Sequence, residues 1–450
     1  MGRITLQQAA EWCGGKIDPK YKDITFVGAS NDTRKLQAGQ LFVALKDVRD
    51  GHDFIPAALE KGAAAVLCTR ADGNYPAIVV EDTRIALGDI ARHERQRLNV
   101  KVVAVTGSVG KSTTKEMIAR VLDGTYKVAK TPVNHNNDIG MPMAVLAMPE
   151  DTEVAVLEMG MNHFREIAYL TQIGKPDIGV IINIGTMHIE HLGSKEGILQ
   201  AKLEIREGMP ENGTLILNGD DNLLWGQRRN QDFRKVYFGL RNPDVTVQGD
   251  QVSEGDGSTS FTVRTGNEIF QVTLPLDGIH NVSDALAAIS VALEMGVPTA
   301  DIQRRLAAFS NMEGRQSVYK AKGFTIINDS YNAGPESMVA ALNVLGSKEG
   351  RKIAVLGDML ELGINAQAEH YRIGRIAAEK ADLLFAYGPT GERMLSGAVT
   401  GGMIGRARAF TDRARLVQAL KIAARPGDVL LFKGSRGMRM ELILEAFLQD

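Results

Sequence analysis

Short apolar runs recur along the chain and alternate with longer stretches whose apolar residues fall three and four positions apart. These are the periods expected of buried strands and of the helices that cover them. Between residues 1 and 98 the runs 41–45, 63–67 and 77–80 read as strands, with a helix-like segment at 54–62 between two of them. That predicts a small α/β unit. From 99 to 312 strand-like runs at 103–106, 154–157 and 178–184 alternate with helical stretches, which argues for a parallel sheet covered by helices. Residues 245–276 carry a different texture, three short runs that resemble an antiparallel patch, and a helix is predicted over 281–295. From 313 to 450 the runs 325–328, 352–356, 383–386 and 429–432 alternate with helices in a doubly wound, Rossmann-like order. The expectation is an α/β protein of three domains, 1–98, 99–312 and 313–450, the middle one built on a P-loop ATPase-like parallel sheet.

In both larger regions the strands end in polar clusters: Glu158-Met159-Gly160, Asn183-Ile184-Gly185, Asp329-Ser330-Tyr331-Asn332 and Lys433-Gly434-Ser435-Arg436. Ligand crevices in open parallel sheets lie at the carboxyl ends of the strands. The polar groups therefore mark one or two facing sites.

Composition narrows the function. Of 450 residues, 44% are hydrophobic and 24% charged, ample for several cores. A net charge of −2 gives no electrostatic case for nucleic acid or a membrane surface. Cys13 and Cys68 form no CxxC pair, which disfavours a zinc site or a disulfide framework. No apolar run reaches bilayer-spanning length, and Glu11 with no long apolar core argues against a signal peptide. A cytoplasmic monomer is expected.

The strongest chemical signal is Thr106-Gly107-Ser108-Val109-Gly110-Lys111-Ser112-Thr113, an apolar strand turning through glycines into a helix. Gly107 and Gly110 let backbone N–H groups approach phosphate oxygens, and the helix aims its unpaired N–H groups and positive dipole end at the same anion. Lys111 supplies a cation for the outer phosphates, and the Ser112 hydroxyl suits Mg²⁺. The full Walker pattern has glycine where this chain has Val105. Glu158, at a strand end near this loop, is a candidate Mg²⁺ ligand. His188 and His191 flank Glu190 without an HExxH motif or a cysteine cluster, so service at a nucleotide–metal site and an ordinary loop role both stay open. Read alone, Lys202 is a solvated lysine on a helix.

Together these segments resemble the Mur ligase family, the ATP-dependent amide-forming enzymes of peptidoglycan precursor synthesis. The resemblance spans essentially the whole chain. It includes the phosphate loop, Asn136-Asn137-Asp138-Ile139-Gly140, Glu158-Met159-Gly160, the histidine segment with His188, Ala201-Lys202, Gly278-Ile279-His280-Asn281 and Gly314-Arg315. The segment Asp329-Ser330-Tyr331-Asn332-Ala333, with Gly357-Asp358-Met359 and Lys433-Gly434-Ser435-Arg436, resembles the branch that adds D-alanyl-D-alanine to a UDP-N-acetylmuramoyl tripeptide. Asp32-Thr33-Arg34 and His52 resemble that branch in the first region.

The resemblance implies that ATP and Mg²⁺ are used and that an acyl phosphate forms before the amide. It implies Lys111, His188, Lys202 and Arg315 as catalytic. Gly107, Ser108, Gly110, Ser112, Thr113, Asn281 and Asp329 would join Lys111 and Arg315 on the nucleotide, with Ser112, Glu158 and His188 on metal. It places Asp32, Thr33, Arg34, His52, Asn136, Asn137, Tyr331, Asn332, Lys433, Ser435 and Arg436 on substrate, and a CO₂-derived carbamate on Lys202. Asn328 stands where the branch often has aspartate, and Gly334 where it often has asparagine. Another Mur step, a folylpolyglutamate synthase-like step, or a P-loop nucleotide switch are the alternatives.

Overall fold

A computed structural model describes residues 4–230, 232–255 and 257–449. Three main sheets follow one another along the chain. The first has four parallel strands in sequence order: Ala29–Ser30, Leu41–Val43, Ala65–Cys68 and Ala77–Val79. The helix Thr83–Leu98 follows, started by Asp82, whose carboxylate accepts from the Arg84 and Ile85 amides. The short runs gave no warning of this helix, because its apolar positions are diluted by charge. It still buries Ala86, Leu87, Ile90 and Ala91.

The second sheet has nine strands. Lys101–Thr106 lies between Ile178–Ile181 and Val154–Glu158, parallel to both. Thr214–Asn218, Arg234–Gly239 and Val247–Gly255 extend the parallel run, and Ser258–Arg264 with Ile269–Leu274 closes it as an antiparallel edge. Side chains alternate across the sheet. Val102 and Ala104 join a core shared with the first domain, while Val103 and Val105 pack under the helices Lys111–Leu122 and Ile279–Glu294. The run at 178–184 is only partly a strand. Ile178–Ile181 pairs, and the next residues turn toward the phosphate loop, where Asn183 spends its amide on that loop.

The third sheet orders Ser317–Ala321, Phe324–Asp329, Val429–Lys433, Lys352–Gly357, Leu383–Tyr387 and Ala407–Phe410, all parallel except the first edge. Both of its faces are covered by helices over buried aliphatic cores. Parallel register sets strand ends side by side: Val105 opposite Glu158, Thr106 opposite Ile181, and Asp329 opposite Lys433. Among the described residues no helix is long and apolar enough to cross a membrane.

Candidate active site

The phosphate loop is held open by two devices. Gly110 has φ +84°, and a Cβ there would lie 2.6 Å from Asp284 Oδ1, so only glycine fits. The Ser108 and Val109 amides both donate to Asn183 Oδ1 at 3.0 Å, and Asn183 Nδ2 donates to the Val109 carbonyl. The Lys111 ammonium folds back onto the Gly107 and Ser108 carbonyls at 2.9 and 3.3 Å. Burial pushes its pKa down, with Arg315 adding to that and Glu158 opposing it.

Ser112 Oγ donates to Glu158 Oε2 at 2.7 Å, and Asn136 Nδ2 donates to Glu158 Oε1 at 2.9 Å. Behind them Lys115, with no exposed surface, donates to the Thr131 carbonyl at 2.7 Å and stands 3.9 Å from Glu158 Oε2. A hydroxyl beside a buried carboxylate is a hard, oxygen-only donor set that suits Mg²⁺. Among the described residues no group of three or more His, Cys, Asp or Glu could hold a metal by itself. An ion here would draw its remaining oxygens from nucleotide phosphates and water, the usual Mg²⁺ arrangement.

The third domain faces this loop. The Arg315 guanidinium stacks 3.9 Å from the centre of the Tyr331 ring, and Arg436 lies 5.7 Å from it. Asp329 is engaged by Lys433 at 2.6 Å and by the Gln316 amide at 3.1 Å. His280 Nε2 and Asn281 Nδ2 both meet Gln316 Oε1, at 2.6 and 3.3 Å. His188, at φ +63°, lies 2.7 Å through Nδ1 from Glu361 Oε2, and that contact lowers the Glu361 pKa.

A cavity of about 930 Å³ spans all three domains. Its wall includes the predicted residues Ser108, Gly110, Lys111, Ser112, Thr113, Asn136, Asn137, Glu158, His188, Asn281, Arg315, Asp329, Tyr331, Asn332 and Lys433. Gly107, Lys202, Ser435 and Arg436 stand outside that wall. Ser435 supports it from behind, donating to the Ala333 carbonyl and accepting from the Leu360 amide. The first-domain candidates are also elsewhere. Asp32 is occupied by the exposed Arg34, and buried His52 bridges Asp50 Oδ1, at 2.6 Å, and the Thr69 amide. Arg84, bound to Asp138 at 2.7 Å, is the first-domain cation that does reach the cavity.

Lys202 is 2% exposed, and its ammonium makes no hydrogen bond or ion pair with another described residue. Burial, with the nearby charge of Lys111 adding to it, drives its pKa far below that of an ordinary lysine. The solvated-lysine reading from the isolated sequence fails because helix Lys195–Leu203 turns this position inward.

Among the wall residues to which the sequence assigned no role are Asp284, Glu336 and Asn183. Asp284 sits on the alanine-rich helix Ile279–Glu294 and reads there as one polar residue among many. Asn183 lies inside a quoted motif, but nothing in its spacing reveals that it grips the loop 75 residues earlier.

Family models described as Mur ligase middle domain, Mur ligase glutamate ligase domain and Mur ligase family catalytic domain match residues 105–292, 314–436 and 23–95. The UDP-N-acetylmuramoyl-tripeptide–D-alanyl-D-alanine ligase of Bacillus subtilis is 42% identical across 100% of this chain and 99% of its own length. The Escherichia coli protein of the same name is 36% identical over 99% of each. A crystal structure of MurF from Acinetobacter baumannii superposes with a TM-score of 0.91 at 31% identity, covering 100% of both chains. MurF ligase from Thermotoga maritima in complex with ADP gives 0.82 at 30% identity over 94% of this chain and 97% of its own. With its phosphate loop, its facing third domain and full-length relatives of this kind, the chain belongs to the Mur ligase family.

Proposed function

We propose that this enzyme joins D-alanyl-D-alanine to UDP-N-acetylmuramoyl-tripeptide at the expense of ATP, in peptidoglycan precursor synthesis. The observation that carries the reading is the cavity in which the phosphate loop and the third-domain residues Arg315, Tyr331, Asn332 and Lys433 share one wall. A nucleotide switch has no use for a second-substrate domain there.

The tripeptide carboxylate attacks the γ-phosphorus of ATP. A P–O bond forms to the carboxylate oxygen, the bond to ADP breaks, and an acyl phosphate results. The D-alanyl-D-alanine amine then attacks the carbonyl carbon, and phosphate leaves as the amide forms. Phosphoryl transfer depends on placement and charge neutralisation. Gly107, Gly110 and Thr113 offer backbone donors, Ser108 joins them on the nucleotide within the same loop, and Lys111 must leave the loop carbonyls to reach the outer phosphates. Arg315 approaches from the opposite domain. Ser112 and Glu158 would hold Mg²⁺, which would supply charge neutralisation for phosphoryl transfer. His188 would serve a second cation. Asn281 and Asp329 face the nucleoside.

Asn136, Asn137, Tyr331, Asn332, Lys433, Ser435 and Arg436 serve the peptide substrates. Asp32, Thr33, Arg34 and His52 belong with the uridine end by resemblance, and their distance from the cavity leaves Arg84 the better supported first-domain contact. Lys202 fits a carbamate: a buried amine without a carboxylate partner favours the neutral, nucleophilic form, and CO₂ would make it an anion beside Lys111. The enzyme works as a cytoplasmic monomer of domains 1–98, 99–312 and 313–450.

The test is amine-dependent phosphate release from ATP, Mg²⁺ and UDP-N-acetylmuramoyl-tripeptide, with the product read by mass spectrometry. Release and a pentapeptide only with D-alanyl-D-alanine are expected. Release with lysine, diaminopimelate or glutamate and a shorter acceptor would move the chain to a sister step, and no amide product with any pair would overturn the reading.

A further inference from the structure

Glu336 stands in the first turn of the helix Pro335–Ser347 and reaches out of the third domain. Its Oε1 accepts from both the amide and the hydroxyl of Thr186, at 2.9 and 3.0 Å. Its Oε2 is sealed from solvent and has no partner among the described residues. Thr186 ends a short segment that grips the phosphate loop twice. Gly185 N donates to Ser108 Oγ at 2.9 Å, and Asn183 Oδ1 accepts from the Ser108 and Val109 amides. The contact is close: a Cβ on Gly185 would lie 2.9 Å from the Glu336 carboxyl carbon and 3.0 Å from Ser108 Cβ.

From this continuous path we infer that Glu336 is a positioning residue, the point at which the docked third domain sets the shape of the ATP loop through residues 183–186. The physical reason is that neither end of the path moves alone. Withdrawing the third domain removes the acceptor that Thr186 has among the described residues and frees the segment that holds the loop amides. Conversely, docking costs less when the loop already presents Thr186 to the carboxylate, so the two events are linked and the linkage is reciprocal. Coupling of this kind changes affinity by about ten-fold.

The inference rests on the reading of residues 107–112 as the ATP loop. Its test therefore includes an arm that needs no ligation. Full-length Glu336→Ala, Glu336→Gln and wild type would be compared by small-angle scattering without ligand, and by titration with ATP and Mg²⁺. Glu336→Ala is expected to show a larger radius of gyration and an ATP Kd raised by about ten-fold. Glu336→Gln keeps an acceptor for Thr186 and should restore both. Gly185→Ala, which wedges the same contact, should behave like Glu336→Ala. Wild-type scattering and wild-type ATP Kd in Glu336→Ala would overturn the inference. So would equal losses in the Ala and Gln variants, since the effect would then follow charge and not the contact. Loss of D-alanyl-D-alanine ligation with both measurements unchanged would also overturn it, and would place Glu336 in the reaction instead.

Discussion

Asp284 should make the enzyme lose stability as pH rises, and Asp284→Asn should abolish that loss. The side chain is 5% exposed, lies against the Cα of Gly110, and has no cation within ion-pair distance among the described residues. Burial raises its pKa from 3.8 to about 8, and the opposing pulls of the Thr114 hydroxyl and Arg315 are too weak to prevent it. The folded chain therefore keeps a proton that the unfolded chain has released. Between these two values folding takes up a proton, so the contribution is complete below 3.8, falls as pH rises, and is gone above about 8.

The slope is about 1.4 kcal/mol per pH unit. From pH 5.5 to 8.5 the simple limit is roughly 3 kcal/mol, and local relaxation or water entry brings it nearer to roughly 2 kcal/mol. For a unit of this size that is a change of roughly 5–10 °C in Tm. Asparagine has the same shape and does not titrate. The assay is a thermal melt of both proteins at one scan rate across that pH range. All other titrating groups are shared and cancel in the difference between the two curves. The Asn variant should gain on the parent steadily between pH 5.5 and 8 and then level off. Parallel curves with a constant offset would show that Asp284 is ionised throughout and refute the reasoning.

Gly110→Ala should abolish tight nucleotide binding, because the new Cβ meets Asp284 and a left-handed residue costs about 1–2 kcal/mol without glycine; a Kd within threefold of wild type, by titration calorimetry, would be the contrary result. Arg315→Ala should cost roughly three orders of magnitude in kcat while leaving the melting temperature within about a degree; a kcat loss under tenfold would remove Arg315 from phosphoryl transfer. Lys202→Ala should lose most activity, and wild-type activity should rise with added bicarbonate after CO₂ is stripped; a variant as active as the parent at every bicarbonate level would exclude a carbamate.

What the sequence made legible has a common physical character. The phosphate loop could be read because its chemistry is done by contiguous backbone, and contiguous backbone leaves its demand in glycines, a lysine and two hydroxyls at fixed spacing. The carboxyl ends of the parallel strands could be read because each strand is a short apolar run and the polar residue after it marks the crevice. The strand Val247–Gly255 was mostly hidden, since a largely exposed, bulged strand has little apolar content to show. Helix Thr83–Leu98 was hidden by its charged face.

Groups that work from a distance leave no such trace. Glu336 meets Thr186 across 150 residues, and buried Lys115, besides its neighbour Glu116, is met by the chain returning at Thr131 and Glu158. Lys202 shows the limit most sharply. Its neighbours in sequence describe an ordinary helix, and only family resemblance singled it out. The physical reason it matters, a buried amine with no counter-charge among the described residues, is a property of three-dimensional surroundings that spacing cannot express. The same holds for Asp284, whose proton depends on having Gly110 at its face and no cation within ion-pair distance among the described residues. An acidic residue on a helix is read as a surface charge until the fold says what is missing around it.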